Sequence, residues 1–368
     1  MLDRRTILVL LSSLSVRLKG AISFVLTALS VAPAPLFACV FDMVKPERTQ
    51  VDWILDAETL VLARPGGKNP FSFEVTRSLI GETDRPPIKQ LVNSVTRRKL
   101  EANLSDQVLF AYQSETGWHR VAFVDESFRG LLQTALDNRA SWQSGMPQSR
   151  LEFITSLQSS SVPAHKALAI GELDKVPYAD LRQLDLTISS DELLADLWTI
   201  NGYRYQAIRA LLLGLSDSPA AHKEIHGYIN RAIKRDKANN LGAFAAAFIE
   251  LEGVSGVEHL ANNILTDPRQ SLDKLEQIVM AMSVHHGVAG PVLKSEIQSA
   301  IKALVDKRPE AGAIVARQFS LRSDWSQTDI LEPLVREREV AMRDLLTISV
   351  YLARARENTG KPNGVVNE

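Results

Sequence analysis

"SDQVLFAYQSETGWHRVAFVDESFRGLLQTALDN", residues 105–138, holds the change on which the fold turns. Its first part reads as two strands of alternating apolar and polar residues, joined by "SETG", a glycine-containing hairpin loop. Its last part, "ESFRGLLQTALDN", spaces its apolar residues for a helix, with Asp125 and Glu126 where the helix dipole favours acids. Strands therefore precede residue 126 and helices follow it.

Toward the N-terminus, "ETLVLARP" is a short β-branched and apolar run that ends in the turn "PGGKNP". "FSFEVTRSLIG" places Phe71, Phe73 and Val75 on one face, and "PPIKQLVNS" reads as a third strand with its prolines confined to the start. With the hairpin, five meandering strands are expected to close as a small OB-like β-barrel. Toward the C-terminus, helix starts recur. Ser189 is an N-cap with Glu192 three residues on, Ser218 precedes Pro219, and Asp267, Pro268 and Gln270 take the same roles. Leu275, Ile278, Val279 and Met282 form one helical stripe, and Ile297, Ala300, Ile301 and Leu304 another. "GAFAAAFIELEG" is apolar on most sides, as a helix buried between neighbours must be. Helices of about 10–17 residues with short Gly-, Pro- or Asp-bearing loops have the form of a HEAT-like array of stacked hairpins; a compact bundle is the competing arrangement.

The chain opens differently. Arg4, Arg5, Arg17 and Lys19 lead into the uncharged "GAISFVLTALSVA" and then "PAPLFA", the three parts of a secretory signal peptide. The apolar run Ala21–Ala32 is 12 residues, short of the roughly 20 a membrane span needs. Cleavage is expected before Cys39, with an uncleaved anchor as the alternative. "LFAC" fits a lipobox at Leu36, Ala38 and Cys39 and fails at Phe37, so Cys39 is the candidate for lipidation or for a plain mature N-terminus. The expected organisation is α+β: signal peptide 1–38, OB-like domain 39–125, α-helical solenoid-like domain 126–355 and a polar, disordered tail 356–368.

Composition narrows the function. Hydrophobic residues at 45% and charged residues at 23% are ordinary for a soluble globular protein. A formal net charge of −1 argues against nucleic-acid binding, which needs a basic surface. A single cysteine excludes an internal disulfide and any multi-thiolate metal site.

Residues 39–125 resemble the OB domains of the netrin and tissue-inhibitor-of-metalloproteinase type, through "AETLVLARP", "FSFEVTRSLIGE" and the 105–125 hairpin. The helical half is similar to α-solenoid regions of uncharacterised bacterial exported proteins, through "AIGELDKVPYADLRQL", "YRYQAIRALLLGLSD" and "KRPEAGAIVARQFSLRSDWSQTDIL". The resemblance implies architecture and an exported setting, and no reaction. It also departs from the inhibitors: "CVFDM" replaces their Cys-x-Cys start, and no second cysteine pins the terminus. Inhibition of a metalloprotease through the Cys39 amine and carbonyl stays as a minor alternative.

Chemistry-bearing patterns are sparse. His222 and His226 in "HKEIH" share a helix face at i, i+4 and are the metal-ligand candidates, but Glu224 lies on the opposite face and no third ligand is evident. His285 and His286 are expected to cap the end of their helix. Ser271 and Lys274 match the short SxxK pattern without its companion motifs. "TRRK" (96–99) and "RAIKRDK" (231–237) read as solvated faces, and Trp142, Trp198 and Trp325 as core rings. No catalytic, cofactor-binding or metal site is assigned. The expectation is an exported, non-catalytic interaction or scaffold protein of the periplasm or cell envelope. It would bind a protein partner, with Cys39 as its candidate membrane attachment as an outer-membrane lipoprotein. The alternative is a hydrolase-type enzyme with its site between the two domains.

Overall fold

A computed structural model describes residues 41, 48–82, 84–338 and 340–359. Cys39, the segment expected to be a signal peptide and the end of the expected tail lie outside these residues.

Helix α1 (Gln50–Asp56) opens the description. It is only seven residues long, but it is fixed by a capping box: the Thr49 hydroxyl accepts from the Asp52 N–H, and the Asp52 carboxylate accepts from the Thr49 N–H. Strands β1 (Thr59–Pro65) and β2 (Phe73–Ile80), helix α2 (Ser94–Ala102), and strands β3 (Gln107–Gln113) and β4 (Gly117–Val124) follow. The strands form one antiparallel sheet in the order β2-β1-β3-β4. The expected five-stranded barrel is not shown: among the described residues the sheet has four strands and is not closed. "PPIKQLVNS" supplies no strand and touches the sheet only through an isolated bridge, Leu91 to Ser72. Pro86 and Pro87 have no N–H to donate. Ile88 and Val92 instead bury their side chains beneath the sheet.

Both sheet faces are covered, and the pleat sorts the side chains between them. Val61, Ala63, Val108 and Phe110 pack with Phe73, Ile88, Val92 and Leu100 on one side. Leu60, Leu62, Leu109 and Ala111 join the larger core on the other side, which runs without interruption into the helices. Of the three residues expected on one face of β2, only Phe73 is buried; Phe71 and Val75 are exposed at the sheet edge.

Seventeen helices are present among the described residues. The rest are α3 (Glu126–Asp137), α4 (Arg139–Gln143), α5 (Gln148–Gln158), α6 (Pro163–Leu173), α7 (Tyr178–Leu181), α8 (Ser190–Leu197), α9 (Gln206–Gly214), α10 (Pro219–Lys234), α11 (Leu241–Glu252), α12 (Val254–Leu260), α13 (Leu272–Val288), α14 (Pro291–Lys307), α15 (Gly312–Ser320), α16 (Thr328–Glu337) and α17 (Met342–Thr359). The switch to helix falls at residue 126, where Asp125 caps α3 by accepting from the Phe128 N–H at 3.0 Å. Ser189 and Ser218 cap α8 and α10 as expected. At α13 the cap is Ser271, not Asp267: residues 267–270 form a turn, and the helix begins four residues later.

From α9 onward the helices stack in two rows. α9 packs on α11, α11 on α13, α13 on α15 and α15 on α17, while α12 packs on α14 and α14 on α16. The wholly buried stretch Leu241–Ile249 of α11 lies in the first row between α9 and α13. There Gly214 lets α9 approach so closely that a Cβ would stand 2.6 Å from the Ala247 Cα. The last helix continues to Thr359, into the segment expected to be a disordered tail. Among the described residues no helix is long and apolar enough to cross a membrane.

Candidate functional site

A cleft of about 530 Å³ opens between the 198–206 turn and the C-terminal end of α10, lined by Trp198, Tyr203, Gln206, Tyr228, Arg231, Arg235, Lys237 and Asn239 among others. The sequence "WTINGYRY" forms the turn because its interior hydrogen bonds close locally. The Thr199 hydroxyl donates to the Asp196 carbonyl at 3.0 Å and accepts from the Gly202 N–H at 2.9 Å. Only glycine fits at 202, since a Cβ there would stand 1.7 Å from the Asp196 carbonyl oxygen. Below the turn, buried Arg209 donates to the Gly202 carbonyl at 3.3 Å and pairs with Asp196 at 3.3 Å. Gln206 donates to the Leu197 carbonyl at 3.0 Å and accepts from Asn240 at 2.9 Å. Asn240 takes the left-handed conformation, φ 55°, that turns the chain into α11.

The result is a rigid frame for aromatic rings. Tyr228 stacks on Phe244 with centroids 3.7 Å apart, and Trp198 lies parallel to both at 5.9 and 5.7 Å. Trp198 is nonetheless 52% exposed and Tyr203 48%. Burial raises the Tyr228 hydroxyl above its ordinary range, so it stays protonated and donates to the Asn239 carbonyl. Around the rings stand Arg231, Arg235 and Lys237. Glu224 behind them accepts from the Trp198 indole at 3.2 Å and from Arg231 at 3.1 Å, which orients both. Trp198 is therefore not the core ring expected, while the charged residues of "RAIKRDK" are exposed as expected of a solvated face, and the fold sets the two side by side.

The histidines expected as ligands are placed otherwise. His226 meets Glu252 at 2.7 Å and the edge of Phe248, while His222 lies one turn away, half-buried. Among the described residues no group of three or more His, Cys, Asp or Glu is placed to hold a metal ion. Ser271 and Lys274 are structural. The serine caps α13, and the Lys274 ammonium donates to the Ala232 and Arg235 carbonyls at 2.8 Å each, closing the end of α10 below the cleft.

His285 and His286 do not cap their own helix. His285 Nε2 donates to the Ala246 carbonyl of α11 at 2.9 Å, with Glu250 at 3.7 Å and the Tyr178 ring edge-on at 5.2 Å. Tyr178 and Arg182 hold that Glu250 at 2.8 and 3.0 Å. His286 Nδ1 meets Asp324 at 2.5 Å, and its Nε2 faces Gln298 at 3.4 Å. Both rings fill the seam beside α13 with bonds of their own. Trp142 is buried against Phe153, as expected of a core ring, and Trp325 packs half-buried against Tyr351.

The chain matches no family model, no curated protein and no solved structure.

Proposed function

We propose that the protein is an exported, non-catalytic binding protein whose HEAT-like array takes an acidic, aromatic-bearing segment of a partner protein into the Trp198–Lys237 cleft. The observation that carries this reading is the coincidence of one exposed ring, Trp198, stacked on the buried Tyr228 and Phe244, with the exposed Tyr203 and three cationic side chains in one concave surface. Trp, Tyr and Arg are the residue types that dominate interface energetics. Guanidinium groups bond carboxylates with short, charge-assisted hydrogen bonds. The rings are held before the ligand arrives, so little ordering cost remains at binding. The signal-peptide pattern of residues 1–38 supports export, and Cys39 stays the proposed attachment point.

The test is fluorescence anisotropy with an Asp/Glu-rich peptide carrying one tryptophan or phenylalanine, against a Lys/Arg-rich control. Trp198→Ala is expected to weaken binding by roughly 30-fold, the loss of a hot-spot ring. The Arg235→Ala/Lys237→Ala double variant is expected to weaken it roughly tenfold and to flatten its salt dependence. Equal binding of both peptides, or no loss in either variant, would count against the proposal.

A further inference from the structure

The outer face of α17 is apolar at the very end of the helical stack. Met342 is 80% exposed and Leu346 68%, and Val350 and Ala353 continue the same stripe at helical spacing. The opposite face is spent inside the fold, where Ile348, Tyr351, Leu352 and Ala355 pack against α15 and α16. Stacked-helix arrays need a polar outer face on their terminal element, because the next element is missing there. α17 is the last helix among the described residues, and its outer face carries an exposed apolar stripe flanked by charges.

The charges on that face say what completes it. Arg343 and Glu357 each lie seven residues from Val350, on either side, and both are exposed along the stripe. When two copies of α17 cross antiparallel with Val350 on the two-fold axis, each Arg343 meets the partner's Glu357, and the pair forms twice. Leu346 then lies along the alkyl stem of Arg354 of the partner subunit. A parallel pairing would set arginine against arginine. We infer that the protein forms an isologous dimer through α17, each copy covering the apolar stripe of the other.

Sedimentation velocity of the full chain, as the cell delivers it, over about 1–100 μM tests this. The wild type is expected to reach a dimer within that range, and Leu346→Glu to stay monomeric. Arg343→Glu and Glu357→Arg are each expected to weaken self-association roughly tenfold. Mixing these two variants is expected to restore association, because every crossing pair then becomes opposite in sign. All three positions are exposed, so circular dichroism should report an unchanged fold in each. A wild type that stays monomeric throughout overturns the proposal, and so does a dimer that is indifferent to Leu346→Glu or is not rescued by the mixture. A dimer that appears only after residues 360–368 are removed also overturns it, by making that tail the native cover.

Discussion

Glu172→Ala is expected to lower the unfolding free energy by about 3–5 kcal/mol, the loss that follows when a buried ion pair is broken from one side. Glu172 is 0% exposed. Its carboxylate accepts from Arg150 Nε at 3.2 Å and Nη2 at 2.8 Å, from Lys175 Nζ at 2.6 Å and from the Thr49 hydroxyl. Lys175 also reaches Asp52 Oδ1 at 2.7 Å. Two cations and two acids therefore balance in a network centred on the buried Arg150–Glu172 pair, and they join α1 to α5 and α6. Without Glu172, Arg150 keeps its charge and its burial but loses the carboxylate oxygen that accepts from both its Nε and Nη2. Denaturant melts measure the loss directly. Hydrogen exchange should show α1 as the element released, because Thr49 and Asp52 are its capping box. A loss under about 1 kcal/mol would contradict the assignment. The same network sets an acid limit. Burial would raise the Asp52 carboxyl, but the Lys175 ammonium, the Thr49 N–H and Arg150 outweigh it and hold it below the usual range. Its contribution is complete above the unfolded value near 4 and fades as pH falls below that.

The second large effect is pH-dependent and belongs to His285. Burial drives its imidazole down to about 4, against the partial opposition of Glu250 and of the bond to the Ala246 carbonyl, with Arg182 pushing the same way as burial. The unfolded chain takes up this proton near pH 6.5, whereas the folded chain refuses it until about 4. Stability is therefore whole above pH 6.5 and declines as pH falls toward 4, by on the order of 3 kcal/mol, and acquires no further slope from this group below that. His285→Gln keeps a donor for Ala246 but cannot take the proton, so its stability should lose that slope between pH 6.5 and 4. Parallel curves for the two proteins, or an NMR titration of His285 near 6.5, would rule the account out.

Local signals were legible where one short segment carries them. The strand-to-helix switch at Asp125, the caps at Ser189 and Ser218, and the burial of the alanine-rich α11 each depend on neighbours in sequence. The fifth strand failed because pairing is decided across the sheet, and the double proline left Ile88 and Val92 better used as core side chains. Helix α1 escaped because seven residues give almost no period; its signal was the Thr49–Asp52 capping box. The histidine pair could have been found. Leu275, Ile278, Val279 and Met282 form a stripe whose next positions are His285 and His286, which therefore had to be buried. The cleft could not be assembled from sequence. Trp198 lies more than thirty residues from Arg231–Lys237, and only the turn fixed by Gly202, Arg209 and Gln206 brings the ring to the cations.

Backbone hydrogen exchange, or amide chemical-shift mapping, with the acidic aromatic peptide added to saturation tests the binding claim most directly. The predicted result is protection and shift changes concentrated in residues 198–206 and 228–240, with quenching of Trp198 fluorescence, all abolished by Trp198→Ala. A footprint elsewhere on the array, with these two segments unchanged at saturation, would contradict it.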